Sequence, residues 1–320
     1  MRHSPGFTDW VRYVKRPPRS GVAPDSRAMA AAGVLRQYLE LCKLRIGMMI
    51  GITAMVGYGA IAPQIDGWAL LGLGCAMMLG SSSSSVFNHF YDRDLDRLMT
   101  RTARRPLARG SLGNPWSAVW LAAVLLVAGL VMAAGLFNWV VALHLFLGAF
   151  IYGVVYTIWL KRRTWLNIVV GGAAGSFALL AGAAAADPQQ WLLPTLMAVT
   201  LFLWTPSHFW ALAILLKDDY ARAGVPMLPV LIGTARCARW ILVNSVLLVL
   251  SSLLPWLLGE LGAVYGLLSL AFGGHFLWLS WRLAREPGPL WARRTFFGSM
   301  QYLCGVFLAV IADRHLTGLF

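Results

Sequence analysis

The sequence predicts an all-α fold: a polytopic membrane bundle of nine transmembrane helices, N-terminus inside and C-terminus outside, with its polar chemistry at the cytoplasmic side. Three observations predict it. Of 320 residues, 58% are hydrophobic and only 12% charged, about half the charged fraction of a soluble domain. Apolar stretches of roughly 17 to 25 residues recur along the chain, each able to cross a hydrocarbon core of about 30 Å as a helix. The Lys and Arg residues fall almost entirely on one side of those stretches, as the positive-inside rule requires. The apolar–polar alternation of a barrel strand is absent, so helices are the way to satisfy backbone hydrogen bonds in lipid. Strong apolarity and 15 Trp exclude a disordered chain, and 32 Gly and 15 Pro without a period exclude a fibrous repeat.

The first span, residues 46–62, follows a segment with nine cations, and the second, 68–87, is followed by six. The third and fourth, 116–135 and 139–160, lead to Lys161, Arg162 and Arg163. The fifth and sixth, 168–186 and 191–216, precede Lys217, Arg222, Arg236 and Arg239. The seventh and eighth, 240–258 and 263–281, precede Arg282, Arg285, Arg293 and Arg294, and the ninth is 296–312. With the N-terminus cytoplasmic, 26 of 27 cations lie inside; outside lie Arg314 and the acids Asp66, Asp187, Glu260 and Asp313. The net charge of +14 is thereby explained by topology, and nucleic acid is not an expected partner. The lipid bilayer is.

Residues 1–34 read as a flexible basic tail, with Arg2, Arg12, Lys15, Arg16, Arg19 and Arg27 among Pro17, Pro18 and Pro24. The tail lacks the apolar core of a cleaved signal peptide, and Asp9, Asp25 and the prolines count against a mitochondrial presequence. Cys42, Cys75, Cys237 and Cys304 form no CxxC or CxxCH, so neither a disulfide framework nor covalent haem attachment is indicated.

Carboxylates cluster beside the basic face. Asn88, Asp92 and Asp96 follow the second span at a spacing of four, which on a continued helix puts them on one face within about two turns. Oxygen ligands on one stripe suit Mg2+, which is held by one or two carboxylates together with substrate phosphates. The competing reading is a solvated loop, DRDLDR, balanced locally by Arg93 and Arg97, with Asp94 as an auxiliary or loop-capping acid. Arg101, Arg104, Arg105 and Arg109 follow at once, and a second acidic pair, Asp218 and Asp219, ends the sixth span on the same side. Two acidic clusters among guanidinium groups form a clamp for a diphosphate. The first cluster is expected at a partly exposed interface site. No glycine-rich phosphate loop is present; the glycine pairs at Gly171 and Gly273 lie within spans, where small residues let helices approach.

The segment NHFYDRDLDRLMTRTARRPLARG resembles the first aspartate-rich motif, NxxxDxxxD, of the intramembrane prenyltransferases of the UbiA superfamily. YTIWLKRRTWLNIVVGG, LWTPSHFWALAILLKDDYARAGVPMLPV and WARRTFFGSM are similar to the subgroup that farnesylates protohaem IX. Four segments match in order, and the resemblance covers residues 37–313. There are departures. The usual KPR reads Lys43-Leu44-Arg45, the PP before the helix-6 histidine reads Pro206-Ser207, the fifth span lacks its proline, and the DxxxD motif is incomplete, with Arg222 and Ala223 four residues after Asp218 and Asp219.

The resemblance implies a nine-helix prenyltransferase domain over residues 35–320 with a cytoplasmic-side active site, in the inner membrane of a bacterium rather than a mitochondrion. The implied substrates are farnesyl diphosphate and haem B, with Mg2+ as cofactor and haem A synthase or oxidase assembly factors as partners. By the same resemblance Asn88, Asp92 and Asp96 hold the first Mg2+, and Asp219, with Asp218, serves the second. Lys43, Arg45, Arg101, Arg105, Lys161 and Arg162 hold diphosphate or haem propionates, undivided between the two duties. Tyr220 either orients the second acidic site or is an interface aromatic, and Asn167 is a cap or a substrate hydrogen-bond donor. His208, roughly three turns before Asp219, is a haem-facing ligand or an interhelical contact; His89 is a second candidate, and His144 and His275 are weaker ones. Trp204, Phe209 and Trp210 line a porphyrin or prenyl cavity or pack in the bundle. A quinone-precursor prenyltransferase and a transporter are the rival classes; a transporter would carry charges at the midplane.

Overall fold

The computed structural model of the chain describes residues 26–316; the basic proline-containing segment before Ser26 lies outside the described residues. The chain divides into two units, one up to Gln37 and one from Tyr38 onward. Helix α1 (Ser26–Leu41) begins within the segment read from sequence as tail.

The helices that follow are α2 (Leu44–Ile61), α3 (Gly67–Tyr91), the short α4 (Arg93–Leu98), α5 (Trp116–Leu136) and α6 (Trp139–Phe150). The last runs on as a π-helix over Ile151–Leu160. Next come the short α7 (Asn167–Gly171), α8 (Ala173–Ala186), α9 (Leu192–Leu215) and the short α10 (Lys217–Arg222) and α11 (Leu228–Ile232). The chain finishes with α12 (Thr234–Leu257), α13 (Ala263–Arg285) and α14 (Pro289–His315). Counting α6 with its π segment and α7 with α8, nine helices among the described residues are long and apolar enough to cross a membrane.

The seventh and ninth spans begin earlier than their apolar cores. Arg236 and Arg239 lie on α12 and Arg293 and Arg294 on α14, not in loops. A helix keeps its own backbone hydrogen bonds past the hydrocarbon edge, and long guanidinium side chains reach the interface from its first turns.

Two span starts carry a side-chain cap. Asp66 accepts from the backbone N–H of Trp68, and Asn138 accepts from Val140 and Val141 while donating to the Ala184 carbonyl. The lipid-facing stripe of α5 is Trp120, Val124, Val127 and Val131, each more than half exposed; apolar surface left outward at helical period is what a bilayer solvates.

Inside, small and hydroxyl residues join the helices. Ser207, Ser245 and Ser280 form a hydroxyl ladder across α9, α12 and α13 at 3.1 and 3.0 Å. Helices α2 and α8 meet at glycines: a Cβ on Gly182 would overlap the Ala54 backbone, and one on Gly57 that of Leu179. Neighbouring packing runs α2 with α3, α3 with α5, α5 with α6, α6 with α8, α8 with α9, α9 with α12, α12 with α13, α13 with α14 and α14 back to α2.

Candidate active site

The turn at the end of α3 gathers the charges. Asp92 closes α3 and opens α4 with φ −89° and ψ 6°, so the helical path bends there while Asp96 N–H still bonds the Asp92 carbonyl at 2.7 Å. Its carboxylate has no exposed surface. Oδ2 accepts from the Lys161 ammonium and from Asn88 Nδ2 at 2.6 Å. Oδ1 has no hydrogen-bond donor and faces Arg162 at 3.5 Å. Asn88 Nδ2 also donates to Thr157 Oγ1 at 3.2 Å, and Asn88 Oδ1 accepts from Lys43 Nζ at 3.0 Å.

One turn on, Asp96 is also buried and takes both its oxygens to Arg105 Nη1, at 2.9 and 2.8 Å. The expectation of a partly exposed site is therefore corrected: the first acidic cluster is roofed by the loop that carries Arg105. The locally balanced DRDLDR reading is corrected too. Arg93 donates to the Phe90 carbonyl and Arg97 to that of Ala108, and the acids draw their cations from other elements.

Two backbone features aim those cations. In the π-helix the Lys161 N–H reaches back to the Tyr156 carbonyl and Thr157 Oγ1 to that of Tyr152, both five residues earlier. This widened turn delivers Lys161 and Thr157 to the end of α3; π segments recur at functional sites for such local re-aiming. Asn167, fully buried, donates to the carbonyls of Thr164 at 2.7 Å and Lys161 at 3.4 Å, fixing the loop that holds Lys161. Its Oδ1 has no partner. Lys43 is the one non-glycine residue with positive φ among those described, at 46°. That left-handed turn costs about 1–2 kcal/mol and is a mark of a constrained site. The surrounding protein pushes the Lys43 ammonium down to about 7, chiefly by burial and then by repulsion from Arg105 and Lys161, against the pull of Asp96 and Asp92.

Asp94 and Arg162 form a bidentate pair at 2.8 Å on the outer side. The guanidinium hydrogen bonds hold the Asp94 carboxyl down at about 2, and Asp94 in turn raises Arg162. Beside them opens a groove of about 530 Å3, lined by Phe90, Tyr91, Arg93, Asp94, Trp116 and Arg162; Asp92, Asp96 and Asp219 are not in its lining.

The second acidic pair divides. Asp219 is buried and Asp218 exposed. Asp219 accepts from Thr100 Oγ1 at 2.5 Å and from Arg222. The Thr100 hydroxyl, then Arg222 and the backbone N–H groups of Thr100 and Arg101, hold it below the usual carboxylate range against partial desolvation. Arg222 thus stands where the incomplete DxxxD motif lacks an acid, and it neutralises Asp219. Tyr220 packs in an apolar cluster with Leu95, Met99 and Ile168. The Arg45 and Arg101 side chains are exposed, with no ion-pair or hydrogen-bond partner among the described residues.

His208 is removed from this network. Its Nδ1 bonds Ser299 Oγ at 2.8 Å, and its ring stacks between Trp204 and Phe296 at 4.3 and 4.5 Å. His89, beside Asn88, is buried with neither ring nitrogen partnered. The site roles of Thr157, Thr100 and Arg222 escaped the sequence reading; a lone threonine in an apolar span or a loop carries no signal, and Arg222 was noticed only as an inside cation and as a missing acid.

The chain matches the UbiA prenyltransferase family model over residues 50–305. The chain belongs to the UbiA prenyltransferase family. Among family relatives it is 59% identical to Protoheme IX farnesyltransferase 1 of Paramagnetospirillum magneticum, covering 88% of this chain and 99% of that protein. It is 38% identical to Protoheme IX farnesyltransferase of Methylococcus capsulatus, covering 92% and 99%. The UbiA fold is seen again in a solved digeranylgeranylglyceryl phosphate synthase, with TM-score 0.74 and 21% identity over 88% of this chain and 98% of that one. A UbiA homolog from Archaeoglobus fulgidus bound to DMAPP and Mg2+ superposes with TM-score 0.68 and 20% identity, over 86% and 99%.

Proposed function

We propose that this chain transfers the farnesyl group of farnesyl diphosphate to a vinyl carbon of haem B, making haem O, with Mg2+ held at the buried acidic turn. The observation that carries the reaction is the near full-length likeness, at 59% identity, to a protein named protoheme IX farnesyltransferase.

The fit to Mg2+ rests on the donor set. Asp92 Oδ1 is a buried carboxylate oxygen lacking a hydrogen-bond donor, and the acceptor atoms that Asp92, Asp96 and Asn88 can offer are all oxygens, as a hard cation prefers. No group of three or more His, Cys, Asp or Glu is gathered into a complete cage among the described residues. That suits a cation whose remaining ligands are diphosphate oxygens and water. When bound, Mg2+ supplies a Lewis acid to the leaving diphosphate.

The chain's own residues do the rest. Lys161 and Arg105, now paired to Asp92 and Asp96, are the cations nearest the acidic turn, and with Lys43 they take up the diphosphate charge. Arg101, exposed and unpaired, reaches its outer oxygens. Asp219 and Thr100 tie the loop after α4 to α10, closing the site against water; Arg222 balances Asp219. The allylic C–O bond breaks with its electron pair going to diphosphate. The vinyl carbon forms the new C–C bond, and water adds to the resulting cation and loses a proton. Stabilisation of developing charge and positioning account for catalysis, with no covalent nucleophile.

The one-sided cations support a site at the cytoplasmic face, and the bacterial relatives support an inner-membrane location. The test is purified protein with haem B, farnesyl diphosphate and Mg2+, with products read by mass. Haem O is expected, and its absence with active protein overturns the reading.

A further inference from the structure

A second groove, of about 410 Å3, lies between α13 and α14 and away from the acidic turn; its lining includes His275, Leu279, Arg293, Arg294, Phe297 and Gly298. Its polar groups are unusual for a surface that meets lipid. His275 sits near the middle of α13, is exposed, stacks on Trp278 at 6.0 Å, and has no hydrogen-bond partner among the described residues. A bare imidazole in the hydrocarbon region is costly and marks function by default. Arg293 and Arg294, both exposed, lie over the rings of Phe297 and Trp291 and pair with no acid among the described residues, whereas nearby Arg282 forms an ion pair with Glu286.

The floor between these groups is apolar. Gly298 has no side chain where a Cβ would crowd Leu279, so the two helices close beneath the groove. His275 and Phe297 lie in one groove with Arg293 and Arg294; His275 stands ten residues before the end of α13, about 15 Å along its axis, whereas Arg293 and Arg294 stand only four and five residues after the start of α14, about 6–8 Å. The imidazole is thus set deeper in the bilayer than the guanidinium pair. That arrangement fits an amphipathic dianion with a metal at its centre. An anionic phospholipid uses two arginines at the interface and leaves the imidazole idle; a metalloporphyrin uses all three, with iron for the imidazole and propionates for the guanidinium groups.

We propose that this membrane-facing groove is where haem B docks from the bilayer, with His275 ligating iron, Arg293 and Arg294 holding the propionates, and Leu279 and Phe297 against the ring. The proposal rests on the haem-acceptor reading above. The opposite face of α14 carries Phe296 and Ser299 against His208, so a single helix separates the groove from that aromatic box.

The test is a titration of haem B into the intact purified protein in zwitterionic nanodiscs without farnesyl diphosphate, followed by absorbance in the Soret region. The wild-type protein should bind with the spectrum of an imidazole-ligated haem. His275→Ala should lose that spectrum, and R293A/R294A should weaken binding by about tenfold or more while keeping the spectrum at saturation. All three positions are exposed, and an unchanged melting temperature checks the fold. If wild-type protein makes haem O but His275→Ala binds haem with unaltered spectrum and affinity, the groove assignment is wrong and the function reading stands. If R293A/R294A bind haem normally but lose phosphatidylglycerol, the groove is a lipid site and the proposal fails. If the wild-type protein neither binds nor farnesylates haem, the function reading falls and the groove with it.

Discussion

Asp92 concentrates the consequences of burial. This carboxylate has no exposed surface and is compensated from other elements: Lys161 and Asn88 reach one oxygen and Arg162 stands near the other. Truncation removes more than a ligand: Asp92→Ala leaves a mostly buried Lys161 ammonium uncompensated, a defect costing about 3–5 kcal/mol. Asp92→Ala should therefore lose both haem O formation and thermal stability. Asp92→Asn, which keeps the shape and an acceptor oxygen, should lose turnover with a smaller drop in melting temperature. Equal activity of Asp92→Asn and wild type at limiting Mg2+ would remove Asp92 from the site. Arg101 is the opposite case, its side chain exposed and without a partner among the described residues while its backbone N–H serves Asp219 whatever the side chain, so its replacement should spare stability. Arg101→Ala should raise KM for farnesyl diphosphate roughly tenfold, the worth of one charge-assisted hydrogen bond of about 1.5–3 kcal/mol. An effect on haem binding alone would move Arg101 to the propionates.

At the scale of the element, close approach of helices and one wide turn set the geometry. Helix α2 leads from Lys43 and is pressed against α8 at Gly57 and Gly182, where any Cβ would strike backbone rather than a side chain that could swing aside. Gly182→Val should lower the melting temperature by an amount equivalent to at least about 1–3 kcal/mol of overpacking. Gly274→Ala, with nothing within 4 Å of the added carbon, should not. Comparable melting of the two variants would show that α2 and α8 can part without cost. The π segment before Lys161 works through direction: its five-residue hydrogen bonds fit more residues into each turn than an α-helix does, which rotates Thr157 and Lys161 toward α3.

Across the whole molecule, the loops after α3, the π-helix and α9 converge at one end of the bundle, where Thr100 meets Asp219 and Lys161 meets Asp92. The other end is tied by different contacts: Asp313 accepts from the backbone N–H groups of Gly262 and Tyr265, and His315 bonds the Gly59 carbonyl. By the charge count the first end is the one expected in the cytoplasm. A reporter fused after Phe320 should be active only on the outer side, and cytoplasmic activity there would reverse the orientation.

Much of this was legible in the chain itself. Nine apolar runs, the one-sided cations and the NxxxDxxxD spacing are local or additive properties, so they survive without knowledge of packing; the spans lie where the hydropathy puts them, and Asn88 and Asp92 touch as a spacing of four on a helix demands. What only the tertiary structure decided is which cation answers which acid. Arg93 and Arg97 are nearest Asp92 in sequence, yet Lys161, 69 residues away, reaches it, and Asp219 finds Thr100 across 119 residues. Such pairings depend on helix crossings, on the π turn and on the left-handed residue at Lys43, none of which alters composition or periodicity. The same holds for His208 and His275: sequence ranked the first above the second, and packing gave His208 a serine and three aromatic rings while leaving His275 exposed with no hydrogen-bond partner among the described residues. Burial and partnership are properties of neighbours in space, and a single chain read in order does not contain them.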